Sequence, residues 1–410
     1  MNVTGLNVVV MGLGRFGGGL GVTQWLLEQG ANVLLTDLLS EEELRHQLEQ
    51  LGTHEKLRCV FGEHRIKDFE QADLIVANPS VRMPWENPYL RAAWDAGVEV
   101  KTEIQFVVEQ VDRRKIVGVT GSAGKSTTAA MIHAALLASD LQVVLGGNIG
   151  GSMLQKIDQI SDDTIVVLEL SSAMLWWLGD AQGKGWSPHV GVLTNISPNH
   201  LDWHGSMESY ITCKENIFSF QEEGDIEIRS VEVDPIRDEL YILGEHNKQN
   251  AAVAINAAIV MGADVQEAVK GITEFRGLPH RLERVGENVY NDSKSTTPQA
   301  CVLAVDSFGK PSRIHLIVGG YDKKIDLSLI AQQAERVAGL YAIGQTAEDI
   351  IQLAKCGYAV HCGSLEVAVR AAKERMGEGD VLLLSPGCAS LDQFENYEQR
   401  GEAFCSLAFG

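Results

Sequence analysis

Residues 115 to 139, KIVGVTGSAGKSTTAAMIHAALLAS, join an apolar strand, a glycine turn and a helix of about four turns. Gly121, Gly124, Lys125 and Ser126 lie at the junction, where backbone N–H groups and the positive helix end hold phosphate. Val119 stands where the common pattern G-x-x-x-x-G-K-[ST] has its first glycine, so this loop is shorter. A solvated helix start rich in small residues does not explain the flanked lysine. We therefore expect a phosphate site in an α/β domain.

The length of 410 residues exceeds one ordinary core and, at roughly 100 to 200 residues per domain, suggests several domains. We expect an α/β fold of three domains. The first is a Rossmann-like domain, the second a phosphate-loop ATPase domain with a mostly parallel sheet, and the third again Rossmann-like. Their predicted ranges are 1–110, 111–275 and 276–410.

Composition narrows the class of protein. A net charge of −21 repels nucleic acid and anionic membranes, so we expect neither as a partner. No run of about 18 apolar residues predicts a membrane span, and the N-terminus lacks the pattern of a signal peptide. Seven cysteines without a Cys-x-x-Cys pair favour neither a disulfide framework nor a thiolate zinc site. These features predict a cytoplasmic protein.

The first domain opens with a glycine fingerprint. Gly12, Gly14 and Gly17 satisfy G-x-G-x-x-G after the strand LNVVVMG, and Asp37 ends the next strand. Taken alone, this pattern is typical of dinucleotide binding. The alternative is a glycine turn that only packs the strand against the helix.

Two further strands of the second domain end in polar side chains. Glu169 ends TIVVLELSS, and His200 lies in the loop NHLDWHG after another strand. Because ligands gather at the carboxyl ends of parallel strands, we expect both residues to converge on Lys125 and Ser126. This set suits Mg²⁺ that serves nucleotide phosphates. The alternatives are a helix-capping Glu169 and a structural His200.

Lys214 interrupts an apolar helix pattern in YITCKENIF. Tyr210, Ile211, Ile217 and Phe218 have the spacing of a buried helix stripe, and the i+4 position of this stripe is Lys214. An ammonium group there must snorkel, pair or change chemically.

The third domain alternates strands and helix-like stretches in βαβ order. Three of its loops carry clustered polar residues at strand ends, namely Asp292 to Thr296, Asp322 with Lys323, and Ser385 with Ser390. Ordinary turn chemistry is the simpler interpretation, because Asp, Ser and Asn commonly start helices.

The chain resembles the Mur ligases, the ATP-dependent amide-forming enzymes of peptidoglycan assembly. The resemblance runs through nine segments in family order: TGSAGKST, GGNIG, LELSS, SPNHLDWHGSMESYITCKENIF, HNKQNAAVA, GLPHRLE, NDSKSTTP, GGYDKKID and SPGCASLDQFENYEQRGEAF. The last segment is similar to the branch that adds D-glutamate.

The resemblance implies a role for each candidate residue. UDP-N-acetylmuramoyl-L-alanine, the substrate of this branch, would contact Gly14, Arg15, Phe16, Asp37 and Asn148. ATP would contact Gly121, Gly124, Lys125, Ser126, Thr127, Asn247, Arg281, Asp292 and Lys294. D-glutamate would contact Thr296, Lys323, Ser385 and Phe394, with His280 nearby in the same substrate site.

The resemblance also implies a metal site and catalytic groups. Two Mg²⁺ ions would be held by Ser126, Glu169, His200 and a Lys214 that CO₂ has carbamylated. Lys125, Asn148, His200 and Lys214 would carry the catalysis. The active protein is expected to be a monomer.

Several segments differ from the family pattern. Ala123 replaces the usual asparagine of the phosphate loop, AMLWWLG follows LELSS, and VANPSV replaces a Ser-Pro-Gly-Ile turn. Only 31 residues, 215 to 245, separate Lys214 from the next motif, so the central domain should lack some peripheral strands.

Two rival functions remain open, a nucleotide-binding pseudo-ligase and, from the glycine fingerprint alone, an NAD-dependent dehydrogenase.

Overall fold

The computed structural model describes residues 2–13, 18–180 and 185–409, whose strands form three sheets. The chain divides into two compact units, Met1–Ile236 with Gln249–Ile272, and Arg237–Lys248 with Thr273–Gly410. The first unit contains two of the sheets, and the second unit contains the third.

The first sheet is parallel and carries the N-terminal strands. They are β1 (Asn7–Met11), β2 (Asn32–Asp37), β3 (Leu57–Phe61), β4 (Leu74–Ala77) and β5 (Glu99–Lys101). Their order in the sheet is β3-β2-β1-β4-β5. The helices of this part are α1 (Gly18–Glu28), α2 (Arg45–Leu51), α3 (Ile66–Glu70), α4 (Pro88–Asp95) and α5 (Glu103–Gln110), with a 3-10 helix at Pro84–Glu86.

The second sheet is also parallel. Its strands are β6 (Ile116–Thr120), β7 (Val143–Gly147), β8 (Ile165–Glu169), β9 (Val190–Leu193) and β10 (Ile226–Arg229), in the order β10-β9-β6-β8-β7. The accompanying helices are α6 (Lys125–Ala138), α7 (Ser172–Leu178), α8 (Leu201–His204), α9 (Met207–Ser219), α10 (Glu245–Val260) and α11 (Val265–Thr273), with 3-10 helices at Arg113–Lys115, Leu154–Gln159 and Ser230–Glu232. Every residue of β6 and β8 is buried, as expected for parallel strands covered by helices on both faces.

The third sheet is mixed. Its strands are β11 (Glu283–Gly286), β12 (Val289–Asn291), β13 (Ile314–Gly319), β14 (Gly339–Ile343), β15 (Ala359–Gly363) and β16 (Val381–Leu384), in the order β11-β12-β16-β13-β14-β15. Its helices are α12 (Pro298–Asp306), α13 (Ser328–Ala331), α14 (Ala347–Leu353), α15 (Leu365–Arg375) and α16 (Tyr397–Phe409), with 3-10 helices at Pro311–Arg313 and Gln332–Glu335. The antiparallel pair β11 and β12 departs from the strictly βαβ order, because a short turn joins these two strands directly.

These sheets confirm the predicted three-domain α/β fold with mostly parallel sheets. The domain boundaries near residues 110 and 275 stay a prediction. Between α9 and α10, a stretch that the structure describes throughout, the chain forms one strand, β10, and the 3-10 helix Ser230–Glu232. Among the described residues, none of the helices has both the length and the apolar character needed to cross a membrane.

Candidate active site

Four neighbouring strands of the second sheet end beside one another. The order β9-β6-β8-β7 places the loop to His200, the phosphate loop, Glu169 and Asn148 in sequence along the carboxyl edge. Ligands of parallel α/β sheets bind at this edge. The convergence predicted for Lys125, Glu169 and His200 therefore follows from the strand order.

The phosphate loop is built around two glycines with positive φ. Gly121 has φ +147°, and Gly124 has φ +81° directly before α6 begins at Lys125. A side chain at Gly121 would collide with Thr194 Oγ1, which explains the need for glycine at this position. Lys125 Nζ donates hydrogen bonds to the backbone oxygens of Gly121 at 2.9 Å and Ser122 at 3.2 Å.

The same loop contains two other predicted ATP contacts. Ser126 is buried in the first turn of α6, and Thr127 beside it is half-buried. The backbone N–H groups at the N-terminus of a helix provide the positive field that anionic phosphate prefers. This position fits the predicted phosphate role of both residues.

Glu169 is a buried carboxylate with one unsatisfied oxygen. Its side chain is 2% exposed, and its Oε1 accepts a hydrogen bond of 2.9 Å from Asn148 Nδ2. Its Oε2 has no hydrogen-bond partner within the described part of the chain. Ser171 caps α7 instead, so the interpretation of Glu169 as a helix cap is wrong. A buried carboxylate oxygen that lacks a donor fits a bound cation.

His200 lies in a turn of unusual backbone conformation. Its φ of 52° is left-handed, a conformation that costs a residue with a side chain about 1–3 kcal/mol. Desolvation, followed by the charge of Lys125, lowers the pKa of this imidazole. A neutral imidazole can use a ring nitrogen to hold a metal.

Lys214 is buried within α9. The side chain is 1% exposed, and its Nζ donates a hydrogen bond of 2.7 Å to the Gly121 backbone oxygen. The same Nζ lies 4.7 Å from the centre of the Tyr210 ring. The snorkelling interpretation is therefore wrong, because the amino group lies inside the protein. Burial, with the nearby Lys125 charge as the second cause, lowers the pKa of Lys214 to about 7.

One member of the predicted apolar stripe is misplaced. Helix α9 buries Tyr210, Cys213, Lys214 and Ile217, whereas Ile211 is 37% exposed. The prediction that Ile211 is buried was wrong. The face of α9 that packs on the sheet is centred on Lys214 and Cys213, so the position next to Tyr210 turns towards solvent.

Asp37 and Asn148 are the described residues of the predicted nucleotide-sugar site. Asp37 ends β2 and is 7% exposed. Its two oxygens accept hydrogen bonds of 2.9 Å from the backbone N–H groups of Leu13 and Leu39. The other predicted contacts, Gly14, Arg15 and Phe16, lie outside the described residues. The carboxylate therefore orders the two backbone segments that flank it.

The second unit places two predicted residues at the carboxyl ends of β12 and β16. Ser385 is fully buried, and its Oγ donates a hydrogen bond of 2.7 Å to Asp292 Oδ2. Asp292 Oδ1 accepts a hydrogen bond from the backbone of Leu282 at 3.1 Å. Burial raises the pKa of Asp292 to about 7 in spite of these donors. In this structure the Ser385 hydroxyl group therefore acts as a hydrogen-bond donor to the Asp292 carboxylate.

The remaining predicted residues of the second unit occupy surface loops or helix starts. Lys294 Nζ lies 3.8 Å from the centre of the Tyr397 ring, and the His280 ring contacts that ring edge-on. Asn247 is buried and donates from Nδ2 to the Leu243 backbone oxygen at 2.6 Å. The exposed residues are Arg281 and Lys323, and the half-buried ones are Thr296 and Phe394.

Sequence reasoning missed the residues that shape the phosphate loop. The Asn195 side chain accepts from Ala123 N at 2.9 Å and donates to Ala123 O at 3.0 Å. Ser122 Oγ shares a hydrogen bond of 2.8 Å with Tyr210 Oη. A side chain at Gly124 would meet Asn250 Oδ1 at 2.8 Å. The sequence signal that could have identified Asn195 is its place as a polar residue just after the apolar strand β9.

A conventional metal cluster is absent from the described residues. Within residues 2–13, 18–180 and 185–409, no group of three or more His, Cys, Asp or Glu side chains forms a potential metal site. Mg²⁺ commonly takes few protein ligands and keeps water or phosphate oxygens. The residues Ser126, Glu169 and His200 fit such an ion only together with bound phosphate.

The fold and this edge of the second sheet are typical of nucleotide-dependent enzymes with a phosphate loop. Three family models match in order: the Mur ligase MurD-like N-terminal domain at residues 6–102, the Mur ligase middle domain at 119–234, and the Mur ligase glutamate ligase domain at 280–388.

Curated relatives match along the whole chain. A protein of Roseiflexus sp. named UDP-N-acetylmuramoylalanine--D-glutamate ligase is 35% identical, with 98% of each chain covered. The protein of the same name from Acidobacterium capsulatum is 34% identical, covering 99% of this chain and 97% of the relative. The chain therefore belongs to the Mur ligase family.

Solved structures share the fold at low sequence identity. The UDP-N-acetylmuramate-alanine ligase of Thermotoga maritima gives a TM-score of 0.57 at 17% identity, with 98% of each chain covered. The MurF ligase of the same organism, in complex with ADP, gives 0.56 at 16% identity and covers 99% of this chain and 95% of that one.

Proposed function

We propose that this chain is an ATP-dependent ligase that adds D-glutamate to UDP-N-acetylmuramoyl-L-alanine during peptidoglycan precursor synthesis. The observation that carries the proposal is the buried Glu169, whose free oxygen lies at the same sheet edge as the phosphate loop, Asn148 and His200. The relatives at 31% to 35% identity that carry the name of this ligase support the choice of amino acid.

The reaction must activate a carboxylate, whose oxygen is a poor leaving group. The alanyl carboxylate attacks the γ-phosphorus of ATP, so that an acyl phosphate forms and ADP leaves. The D-glutamate amine then attacks the acyl carbon and gives a tetrahedral intermediate. Collapse of this intermediate expels inorganic phosphate, and the amine nitrogen loses its proton as the amide forms.

Positioning and charge neutralisation are the main tasks of the protein in the first step, because two anions must approach each other. Lys125 and the N-terminus of α6 would hold the ATP phosphates, with Ser126 and Thr127 beside them. Asn148, which already orients Glu169, would approach the reacting carboxylate.

Ser126, Glu169, His200 and a modified Lys214 would hold Mg²⁺. When bound, these ions would neutralise negative charge on the phosphate and acyl oxygens. The orphaned Oε2 of Glu169 is the structural feature that fits this role. A neutral His200 fits it as well.

Carbamylation of Lys214 is part of the proposal. The neutral amine of Lys214 would attack the carbon of CO₂, forming an N–C bond, and the nitrogen would release one proton. The product is a carbamate anion, a carboxylate-like group. The buried position of Lys214 and its lowered pKa support the step, since they favour the neutral nucleophile.

The binding residues of the other two parts of the chain complete the proposal. Asp37, with Gly14, Arg15 and Phe16, would bind the UDP-sugar on the first sheet. In the second unit, the residues proposed to contact ATP are Asn247, Arg281, Asp292 and Lys294. Those proposed for D-glutamate are Thr296, Lys323, Ser385 and Phe394, with His280 nearby. We also propose that the enzyme acts as a monomer in the cytoplasm, where its nucleotide substrates occur.

Purified protein tests the assignment directly. Phosphate release that requires UDP-N-acetylmuramoyl-L-alanine, D-glutamate and Mg-ATP together is the expected result. ATP binding without turnover would favour a pseudo-ligase, and an NAD-dependent absorbance change would favour a dehydrogenase. A panel of amino-acid acceptors, including L-glutamate, then measures the selectivity.

A further inference from the structure

Five of the seven tryptophans of the chain form one continuous aromatic array, which we call the tryptophan cluster: Trp85, Trp94, Trp176, Trp177 and Trp203. Trp85 belongs to the 3-10 helix Pro84–Glu86 of the first sheet region, whereas Trp176 and Trp203 belong to α7 and α8 of the second. The cluster therefore joins the two sheet regions of the first unit. Trp176 and Trp177 lie within AMLWWLG, a segment that differs from the family pattern.

One member of the cluster, Trp203, lies in α8, the short helix that begins directly after His200. Trp203 is 6% exposed, and its ring centre lies 5.7 Å from that of Trp85 and 6.2 Å from that of Trp176. Arg82, three residues before Trp85, pairs with Asp202 at 3.1 Å. The first sheet region therefore contacts α8 through both an aromatic ring and an ion pair.

The turn needs external support. His200 has the left-handed φ described above, and α8 comprises only Leu201–His204, too short to be stable alone. The burial of Trp203 and the 2.8 Å hydrogen bond between His204 Nε2 and Ser172 Oγ supply that support. A backbone conformation of this kind persists only where its surroundings enforce it.

We propose that Trp85 is a positioning residue for His200. Its ring forms part of the wall against which Trp203 packs, so the first sheet region sets the direction of a metal ligand on the second. This inference rests on the proposed function, in which His200 holds Mg²⁺. It assigns the first domain a role in metal binding in addition to its predicted role in holding the UDP-sugar.

The Mg²⁺ dependence of nucleotide binding tests this role without turnover. Binding of a non-hydrolysable ATP analogue to the full-length protein is measured by calorimetry over a series of Mg²⁺ concentrations. For Trp85→Ala we expect the half-saturating Mg²⁺ concentration to rise by about three- to tenfold. In the ligase assay, kcat should fall while the KM for D-glutamate stays unchanged. Trp85→Phe, which keeps an aromatic ring, should restore Mg²⁺ dependence to within about twofold of wild type.

Trp94→Ala is the matched control. Trp94 belongs to the same cluster, but its ring contacts that of Trp177, with 6.3 Å between the ring centres, on a helix that does not carry His200. It should leave the Mg²⁺ dependence within about twofold of wild type. An equal shift in Trp94→Ala, or a wild-type response in Trp85→Ala, would overturn the proposal.

A second variant at Trp85 and the ligase assay of the wild-type protein separate failure to fold from failure of either proposal. If Trp85→Ala does not fold, Trp85→Leu replaces it, with the same direction expected, because leucine retains apolar bulk without the flat ring. If the wild-type protein binds the analogue but forms no amide, the proposed function fails. The comparison of Mg²⁺ dependence between Trp85 and Trp94 variants still decides whether Trp85 positions His200.

Discussion

Asn148 Nδ2 donates a 2.9 Å hydrogen bond to Glu169 Oε1, and the Asn148 backbone N–H donates to the Glu169 backbone oxygen at 2.8 Å. This double contact fixes the carboxylate while its Oε2 stays without a partner among the described residues. Asn148 therefore orients a candidate metal ligand. Support of this kind typically changes metal affinity when it is removed.

Asn148→Ala is expected to raise the Mg²⁺ concentration for half-maximal ligase activity about tenfold, because Glu169 loses its orienting donor. Glu169→Gln should lower kcat by at least about 100-fold, since the amide cannot supply a negative charge. Glu232→Gln, at an exposed position of the same unit, is the control. Equal Mg²⁺ dependence in Asn148→Ala and wild type would contradict the metal assignment.

Lys214→Ala should abolish ligase activity, and added bicarbonate should not restore it, because no amine remains for CO₂. In protein equilibrated with ¹³C-labelled bicarbonate, a carbamate carbon signal is expected by NMR in wild type and not in Lys214→Ala. Lys270→Ala, a change of an exposed lysine on α11, should retain both activity and signal. Full activity in Lys214→Ala would sink the carbamate proposal.

Asn195 should contribute to ATP binding because its side chain forms two hydrogen bonds with the backbone of Ala123 in the phosphate loop. Asn195→Ala is expected to raise the KM for ATP by about three- to tenfold, the loss of one or two modest hydrogen bonds. Asn195→Asp should be worse, since its carboxylate cannot donate to Ala123 O and adds a negative charge near phosphate.

Steady-state kinetics and binding of an ATP analogue check the prediction for Asn195. Gln266→Ala, which removes an exposed side-chain amide from the same unit, is the control. It should leave the KM for ATP and the Kd of the analogue unchanged. If Asn195→Asp bound ATP as tightly as wild type, the side chain would have no part in shaping the phosphate loop.

Asp292 should make stability depend on pH. Its folded pKa of about 7 lies above the ordinary value of 3.8, so between these values the folded state binds more protons than the unfolded state. The free energy of unfolding should therefore fall as the pH rises from about 4 to about 7. The contribution is fully present below the unfolded pKa and is lost as the pH passes the folded pKa.

Thermal unfolding at a series of pH values measures this effect. In Asp292→Asn the free energy of unfolding should no longer show this fall between pH 4 and pH 7, because the amide does not titrate. Asp349→Asn, an exposed change on α14 of the same unit, should keep the wild-type slope. A slope unchanged in Asp292→Asn would show that this carboxyl group titrates normally in the folded protein.

Much of the fold followed from local patterns. The buried strands β1, β2, β4, β6, β8 and β9 coincide with apolar runs that the sequence shows directly. The edge strands β3 and β10 are less buried, so they lack that signal. The antiparallel start of the third sheet was missed because the pattern of alternating elements does not encode strand direction.

The candidate site was predictable where polar residues follow buried strands. Glu169, Lys125 and His200 could be placed together because parallel strands end at a common edge. Ile211 could not be placed correctly, since helical spacing alone does not reveal which neighbours cover a face.

The sequence by itself determined the alternation of strands and helices, the loops that carry phosphate-binding chemistry, and the family. Tertiary structure decided that Lys214 Nζ meets the Gly121 carbonyl, that Asn195 closes on Ala123, and that Trp85 packs on Trp203. Each of these contacts joins residues more than 70 positions apart. Local periodicity reports only which face of an element is apolar, so the partner of that face is set by how the elements pack.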